Sequence, residues 1–264
     1  MASRPLITLL TDFSLRDTYV AEMKGVILGI NPGAVLVDLC HEVPPQDIVE
    51  GAWLLAQAAP AFPYGTIHLA VVDPGVGTGR RALAAAAGGQ FWVGPDNGIF
   101  HLVFSRHPEA RVVSLENPRF FREQVSPTFH GRDIFAPVAA HLSRGTPLEG
   151  FGPPITDPVP LPLPEPRWEP HQVQGEIVRV DHFGNLVTNI PGERLQAWLE
   201  GRTPRTAVGS LILTGLVETY GHLPPGEFAA LVGSHGRLES ARVQGHAAHS
   251  LQCGPGTPVT VMKT

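Results

Sequence analysis

The sequence has few cysteines and lacks a long apolar run. Its 264 residues include two cysteines, Cys40 and Cys253, which lie far apart and match no metal-binding or redox spacing. Two unpaired thiols are typical of a reducing compartment, so we expect a cytoplasmic protein. No stretch approaches the ~18 apolar residues of a membrane span, and the run before Asp12 is too short for a signal peptide.

Clustered basic residues are also missing. The formal net charge is −5, and nearly all basic residues are arginines, since Lys24 and Lys263 are the only lysines. Binding to a phosphate backbone requires clustered lysine and arginine, so we do not expect nucleic acid as a partner. Apolar residues make up 43% and charged residues 16% of the chain, which indicates a globular protein rather than a disordered one.

Proline, in contrast, is concentrated in one segment. Residues 153–170, PPITDPVPLPLPEPRWEP, contain eight prolines, which excludes a helix interior or a central strand. Such a segment is stiff and semi-extended, as in a linker between domains. It divides the chain into residues 1–152 and 171–264.

The two sides of the linker differ in their patterns. Before it, PLITLL, AVLVDL and GTIHLAVV predict buried strands, while DTYVAEMKGVILGINPG and DIVEGAWLLAQAAPAF predict helices between them. Strands that alternate with helices indicate an α/β domain with a largely parallel sheet. After it, short alternating segments such as QGEIVRVDHFGNLVTNI and EFAALVGSHGRLESARV predict an all-β domain, either a small barrel or a sandwich.

A glycine-rich stretch, VVDPGVGTGRR, follows the third predicted strand. Its glycines, Gly75, Gly77 and Gly79, do not have the G-x-G-x-x-G spacing after a first strand that binds dinucleotides. A phosphate-binding loop of the Walker type would need Gly-Lys-Ser/Thr, which is absent here. Asp73 stands at the carboxyl end of a parallel strand, where ligands bind in open α/β sheets, but Asp-Pro-Gly is also a common turn sequence. Both a catalytic and a turn-bracing interpretation of Asp73 remain.

Five ordered motifs carry a family resemblance: TDFSLRDTYVAEMKG, VVDPGVGTGRR, VGPDNGIF, FHGRDIFAPVAAHL and DHFGNLVTNI. Together they resemble the S-adenosylmethionine hydroxide adenosyltransferases, which are hydrolytic relatives of the fluorinating and chlorinating enzymes. The resemblance covers nearly the whole chain. It implies attack of water or hydroxide on C5′ of S-adenosylmethionine, which gives adenosine and methionine without a metal or a cofactor. It also implies a homotrimer whose substrate is held between domains of neighbouring subunits.

The resemblance assigns three catalytic positions. Asp73, Arg80 and His130 match the family's aspartate, arginine and histidine. A carboxylate and an imidazole can orient and deprotonate water, and a guanidinium can hold the carboxylate in place. Which of Asp73 and His130 accepts the proton stays open. The halogenating relatives carry tyrosine and serine at the positions of Asp73 and His130, which disfavours a halogenase.

The acidic binding residues also follow from the resemblance. Asp12 matches the residue that bonds the ribose hydroxyls, and a carboxylate can bond two neighbouring hydroxyls at once. Asp17 and Asp181 match groups near the methionine ammonium. As isolated residues, Asp12 and Asp17 could equally be helix N-caps.

The other matched positions lie after the linker. Phe183 and Asn185 match residues that stack on and hydrogen-bond adenine, although Phe183 alone could be a core residue. Ser234 matches a contact to the methionyl end, and the backbone near Ala247 matches a contact to adenine.

The chain departs from the family pattern at three places. Ser14 follows Phe13 where glycine is usual, and His235 and His246 replace other polar residues of the family. The roles of these two histidines stay open. His246 and His249 are three residues apart, but without a third ligand in view they do not predict a metal site.

Two other functions remain as alternatives. A protein with the same fold could bind or sense S-adenosylmethionine without turning it over, although Asp73, Arg80 and His130 argue for catalysis. A dinucleotide-dependent dehydrogenase is the second of these, and the misplaced third glycine argues against it.

Overall fold

The computed structural model describes residues 4–264 and separates the chain into two compact units. The N-terminal unit ends at Pro162, and the C-terminal unit spans Leu163–Thr264. The division falls inside the proline-rich segment 153–170. Within residues 4–264, none of the helices combines the length and the apolar character that a bilayer span needs.

The N-terminal unit is built on a seven-stranded sheet of order β2-β1-β3-β5-β4-β6-β7. Its strands are β1 Leu6–Thr11, β2 Val35–Cys40, β3 Ile67–Val71, β4 Ala82–Ala87, β5 Gln90–Pro95, β6 Arg111–Ser114 and β7 Pro154–Ile155. β2, β1, β3 and β5 are parallel, whereas β4, β6 and β7 are antiparallel to their neighbours. The predicted α/β class is confirmed, but the sheet is mixed instead of largely parallel.

Helices cover both faces of this sheet. They are α1 Tyr19–Ile30, α2 Ile48–Ala58, α3 His101–Phe104 and α4 Ala136–Ser143, and a π-helical turn, Gly131–Phe135, precedes α4. The alternation of side chains along β1 decides which face each helix covers. Ile7 and Leu9 pack with α1 and α4, whereas Leu10 packs with α2 and α3.

The strand order places a ligand-binding edge between β1 and β3. α1 carries the chain from β1 to β2 on one side, and α2 returns it to β3 on the other side. The carboxyl ends of β1 and β3 meet where the order reverses, since Thr11 pairs with Val71. In open α/β sheets, this reversal opens a crevice that binds ligands.

The antiparallel strand β4 has an unexpected sequence, ALAAAA, because alanine favours helices. Gly88 and Gly89, with φ of +59° and +74°, turn the chain tightly from β4 into β5. Ala84 and Ala85 are fully buried between β5 and β6. Strand pairing and burial therefore outweigh the local propensity.

The C-terminal unit is an antiparallel eight-stranded sheet that nearly closes into a barrel. Its strands are β8 Arg167–Trp168, β9 Gln172–Val180, β10 Leu186–Pro191, β11 Pro204–Val208, β12 Leu211–Thr214, β13 Phe228–Val232, β14 Arg237–Arg242 and β15 Pro258–Lys263. Two short helices, α5 Gly192–Leu199 and α6 Ala247–Leu251, interrupt the predicted all-β pattern. The barrel-like class is confirmed, and its core is apolar.

Candidate active site

Two predicted acidic residues lie at the carboxyl ends of β1 and β3, where the strand order of the N-terminal sheet reverses. Asp12 directly follows β1, and Asp73 follows β3 by two residues. Both line a cavity of about 400 Å³, together with Phe13, Tyr19, Gln46, Pro74 and Val76. Sequence and topology thus bring Asp12 and Asp73, 61 positions apart, to one pocket.

Arg80 is the centre of the predicted catalytic set. Its Nε donates to Asp73 Oδ1 at 3.1 Å, and its Nη2 donates to Asp73 Oδ2. The side chains of Asp73 and Arg80 are only 4% and 8% exposed. Arg80 Nη1 donates to the Arg81 carbonyl at 3.0 Å, and the guanidinium lies 5.4 Å from the centre of the Phe135 ring. A paired charge that is bonded in this way keeps a fixed orientation.

His130 completes this set through the same guanidinium. Its Nδ1 lies 3.1 Å from Arg80 Nη2. Because a guanidinium can only donate, Nδ1 is the acceptor and carries no proton. A neutral His130 therefore has its proton on Nε2 and can donate from there. The structure brings Asp73, Arg80 and His130 together.

The charge state of His130 follows from its surroundings. Burial and the neighbouring Arg80 charge lower the pKa of His130 below its ordinary value, and this outweighs the opposite influence of Asp73 and Asp133. The neutral imidazole is the form that can accept a hydrogen bond from Arg80. The lowered pKa and the hydrogen-bond pattern thus agree.

The loop that carries Asp73 and Arg80 is held from two sides. Asn97 Nδ2 donates to the Val72 carbonyl at 2.8 Å. Gly77 has a φ of +75°, and a Cβ there would lie 2.3 Å from the Pro127 carbonyl oxygen. A glycine is therefore required where the loop packs against the segment that leads to His130. Gly77 thus shapes this turn.

Asp133 anchors the segment of His130, and sequence reasoning did not identify it. It is fully buried and accepts from Arg132 at 2.7 Å, from Arg122 at 3.1 Å and from the Ser126 amide at 2.8 Å. Burial opposes its ionisation, but these bonds outweigh burial and keep the pKa of Asp133 below its ordinary value. The π-helical turn after His130 contains Asp133, and such turns are frequent at functional sites. The run His-Gly-Arg-Asp was the only signal for it in the sequence.

The two predicted binding residues of the N-terminal unit differ in their placement. Asp12 Oδ2 accepts from the Gln46 amide at 2.8 Å, and Asp12 faces the cavity. Asp17 is exposed in the loop before α1 and lies outside the set of cavity-lining residues. Thr18 occupies the N-cap position of α1, and Asp47 caps α2. Neither Asp12 nor Asp17 is therefore a helix cap.

In the C-terminal unit, Asp181 organises the turn between β9 and β10. Its Oδ1 accepts from the amides of Phe183 and Asn185, both at 2.9 Å, and its Oδ2 accepts from Asn185 Nδ2 at 2.8 Å. Gly184, with a φ of +84°, completes the turn. Asp181 therefore holds Phe183 and Asn185 in place within their own loop.

This turn borders a second cavity, of about 570 Å³. Four of the predicted residues line it: Asp181, Phe183, Asn185 and Ser234. The side chain of Phe183 is 72% exposed, which excludes a core role. An exposed aromatic ring beside polar groups is suited to stacking on a flat ligand.

A buried carboxylate in the wall of this cavity was not found from the sequence. Glu239 lies on β14 and is 1% exposed. It accepts from Tyr220 Oη, and its Oε2 shares a hydrogen bond of 2.8 Å with His235 Nε2. Burial and Glu239 raise the pKa of Tyr220. One of the two unexplained histidines, His235, thus belongs to a hydrogen-bonded cluster.

Ala247 begins α6 and is fully buried. The Ala248 amide donates to the Gly184 carbonyl at 3.0 Å, which ties α6 to the turn of Asp181. His246 caps α6 by accepting from the His249 amide at 3.2 Å, and the two rings stack with centroids 3.6 Å apart. His246 therefore has a capping role.

These features define a class of protein: a two-domain enzyme of the α/β plus β-barrel type, with a carboxylate–guanidinium–imidazole set at the carboxyl edge of its sheet. The chain belongs to the SAM hydroxide adenosyltransferase family. The model of the family's N-terminal domain matches residues 7–152, and that of its C-terminal domain matches residues 175–260.

Several known proteins are similar along nearly their full length. The (R)-S-adenosyl-L-methionine hydrolase of Thermus thermophilus is 41% identical, over 96% of this chain and 98% of its own. The protein of the same name from Salinispora tropica is 42% identical, over 99% of each chain. A fluorinase of Nocardia brasiliensis is 29% identical, over 98% and 97%. The crystal structure of an uncharacterized conserved protein from Thermotoga maritima has 37% identity and a TM-score of 0.91, over 97% of this chain and 100% of that chain.

Proposed function

We propose that this protein hydrolyses S-adenosyl-L-methionine to adenosine and L-methionine. The observation that carries the proposal is the hydrogen-bonded Asp73–Arg80–His130 set, beside a cavity that Asp12 and Asp73 line. The hydrolases named above, at 41% and 42% identity, support the same reaction.

The reaction is a substitution at C5′ of the ribose. The oxygen of water forms a bond to C5′ while the bond from C5′ to sulfur breaks, and the bonding pair moves to the positively charged sulfur. Methionine leaves as a neutral thioether, so the leaving group needs neither a proton nor a metal. We therefore propose that the reaction uses no metal and no cofactor. One proton must be removed from the attacking water.

We propose that Asp73 accepts this proton, and the hydrogen-bond directions support this role. Nδ1 of neutral His130 is bonded to Arg80, and its Nε2 carries a proton, so this ring donates rather than accepts. Asp73 shares each oxygen with Arg80, yet a carboxylate oxygen has a further lone pair that can accept from water. His130 then orients the water oxygen through Nε2–H. Such acid–base assistance contributes roughly 10²–10⁴-fold to the rate.

The binding residues take the roles that the family resemblance gives them. Asp12 bonds the ribose hydroxyls, and Asp17 and Asp181 lie near the methionine ammonium. For adenine we propose stacking on Phe183, hydrogen bonds from Asn185 and contact with the backbone near Ala247; Ser234 contacts the methionyl end. The exposure of Phe183 and the shared cavity of Asp181, Asn185 and Ser234 support these roles.

A halogenase is the nearest alternative reaction. A carboxylate at Asp73 would repel a halide ion, and fluorinase identity is 29% against 41% and 42% for the hydrolases. A sensor that binds without turnover would have no need of a carboxylate and an imidazole that are both held by one guanidinium. Both alternatives predict that no adenosine forms.

We further propose a cytoplasmic homotrimer with a substrate site shared between subunits. The two free cysteines are compatible with a reducing compartment. The proposed catalytic residues lie in the N-terminal unit, whereas the proposed adenine residues lie in the C-terminal unit. A site formed by the N-terminal unit of one subunit and the C-terminal unit of another would contain both the catalytic and the adenine residues.

Mixing inactive variants tests the shared site. Trimers of Asp73→Ala alone and of Asn185→Ala alone should both be impaired, but mixed trimers would contain some sites in which both residues are intact. We expect activity to recover to a measurable fraction of wild type after subunit exchange. One variant is labelled with ¹⁵N so that native mass spectrometry can monitor exchange, and exchange without recovery contradicts the shared site.

The proposed reaction is tested by product analysis. The purified protein is incubated with S-adenosylmethionine in chloride-free buffer, and products are separated by liquid chromatography. We expect adenosine and methionine in equal amounts. Tight binding without product would support the sensor, and a halide-dependent product would support the halogenase.

A further inference from the structure

A series of contacting side chains connects α1 to the end of β1 and takes no part in the proposed chemistry. Lys24 Nζ donates to Asp38 Oδ2 at 2.6 Å, and His41 Nε2 lies 2.9 Å from Asp38 Oδ1. His41 Nδ1 lies 2.8 Å from Thr11 Oγ1. Thr11 is fully buried and His41 is nearly so. Thr11 directly precedes Asp12, the proposed ribose ligand.

These contacts form a continuous series. The Asp38 carboxylate can only accept, so Nε2, the His41 nitrogen that lies 2.9 Å from it, is the one that carries a proton. On the other side of the ring, Nδ1 and the Thr11 hydroxyl share a hydrogen bond. Thr11 Oγ1 in turn accepts from the Phe13 amide at 3.2 Å. These contacts thus connect the partly exposed Lys24–Asp38 pair to the backbone on the far side of Asp12.

His41 holds the same segment a second time through its backbone. The Ser14 amide donates to the His41 carbonyl at 2.7 Å. Ser14 has a φ of +59°, a left-handed conformation that is unfavourable for residues other than glycine. The bond to the His41 carbonyl holds Ser14 in this conformation. His41 thus contacts Thr11 through its side chain and Ser14 through its backbone carbonyl, and Asp12 and Phe13 lie between these two residues.

An aspartate, a histidine and a threonine in hydrogen-bond sequence could also activate a nucleophile. Thr11 cannot have that role here, because it is fully buried and its oxygen accepts from the Phe13 amide. The arrangement therefore acts through the backbone of residues 11–14. Asp12 is the residue in that segment that faces the cavity with a charged group.

We propose that Lys24, Asp38, His41 and Thr11 form a positioning relay that fixes Asp12 for the ribose hydroxyls. This inference rests on the proposed function only in its assignment of Asp12 to the ribose. The relay sets substrate affinity and ribose discrimination, and it does not take part in the attack on C5′. His41 and Thr11 are thus positioning residues.

The test compares binding of adenosine and 2′-deoxyadenosine by calorimetry. A charged hydrogen-bond partner of the 2′-hydroxyl should make the wild-type protein prefer adenosine by about tenfold or more. Thr11→Val keeps the side-chain shape but breaks the relay, so the preference should fall to about twofold or less. Thr11→Ser keeps the hydroxyl and should retain the wild-type preference.

Two further variants guard against a simple loss of folding. Asp38 is partly exposed, so Asp38→Ala should fold normally, and it should weaken the adenosine preference in the same direction. Glu149→Ala removes the exposed Arg111–Glu149 pair, which involves β6 on the opposite side of the sheet from β2, and should change nothing. Thermal melting of each variant establishes that it is folded.

Steady-state kinetics supply an independent readout. Thr11→Val should raise KM for S-adenosylmethionine about tenfold while kcat stays within about twofold, since the ribose contact is equal in the ground and transition states. A folded Thr11→Val protein with an unchanged adenosine preference overturns the relay. If Thr11→Val does not fold, an unchanged preference in Asp38→Ala overturns it. If the wild-type protein prefers adenosine but forms no product, the proposed reaction is wrong and the relay still stands. If the wild-type protein shows no preference for adenosine, the relay is wrong.

Discussion

Replacement of Asp73 by alanine should lower kcat by roughly 10²–10⁴-fold, since it removes the group that orients and deprotonates the attacking water. Affinity for S-adenosylmethionine should stay within about threefold, because the ribose and adenine contacts are made by other residues. The measurement is steady-state kinetics of adenosine release, with the dissociation constant of the substrate determined separately.

Two comparison variants make the Asp73 result specific. Asp73→Asn keeps the shape and one acceptor oxygen for the buried Arg80, but it is a much weaker base and should be nearly as slow as alanine. Asp157 pairs with Arg81, the neighbour of Arg80, and the side chain of Asp157 is 77% exposed. The rate of Asp157→Ala should therefore equal that of wild type. A folded Asp73→Ala protein with a near-normal rate would exclude Asp73 from the mechanism.

Changing His130 should have the second largest effect. His130→Ala removes the Nε2–H donor and the acceptor of Arg80, so we expect a fall in kcat of roughly 10²-fold or more. His130→Asn can still accept from Arg80 through its amide oxygen, yet it lacks the donor in the Nε2 position. It should therefore preserve the Asp73–Arg80 pair while remaining slow. His107→Ala, which alters a partly exposed histidine outside the site, is the matched control.

The lowered pKa of His130 determines in which direction activity should change with pH. The proposed mechanism uses the neutral ring, and the pKa of His130 lies below its ordinary value of about 6.5. Activity should therefore be full near neutral pH and should fall as the pH drops through that lowered pKa. The residual activity of the slow His130→Asn variant should not show this fall at acidic pH. If its profile retains the same fall, another group is responsible and His130 does not act as assigned.

Much of the fold was predictable because local patterns and long-range packing agree. β1, β2 and β3 are short apolar runs, and α1 and α2 have helical periodicity with clear ends. β4 was not predictable in this way, because its alanines favour a helix and its strand form depends on pairing with β5 and β6. The same pairing makes the sheet mixed.

The site was predictable only in part. Asp73 at a strand end indicated a ligand edge from topology alone, whereas Arg80 and His130 required the family motifs. Asp133 and Glu239 were missed because their roles depend on partners that meet them only in the fold: Ser126 and Arg122 for the former, Tyr220 and His235 for the latter. A buried carboxylate cannot be told from an exposed one by its immediate neighbours in sequence.

The most direct test of the mechanism is hydrolysis of S-adenosylmethionine in ¹⁸O-labelled water, with mass spectrometry of both products. Attack of water on C5′ predicts one ¹⁸O atom in the 5′-hydroxyl of adenosine, none in methionine, and equal amounts of the two. Unlabelled adenosine, or no adenosine from a folded protein that binds the substrate, would contradict the mechanism.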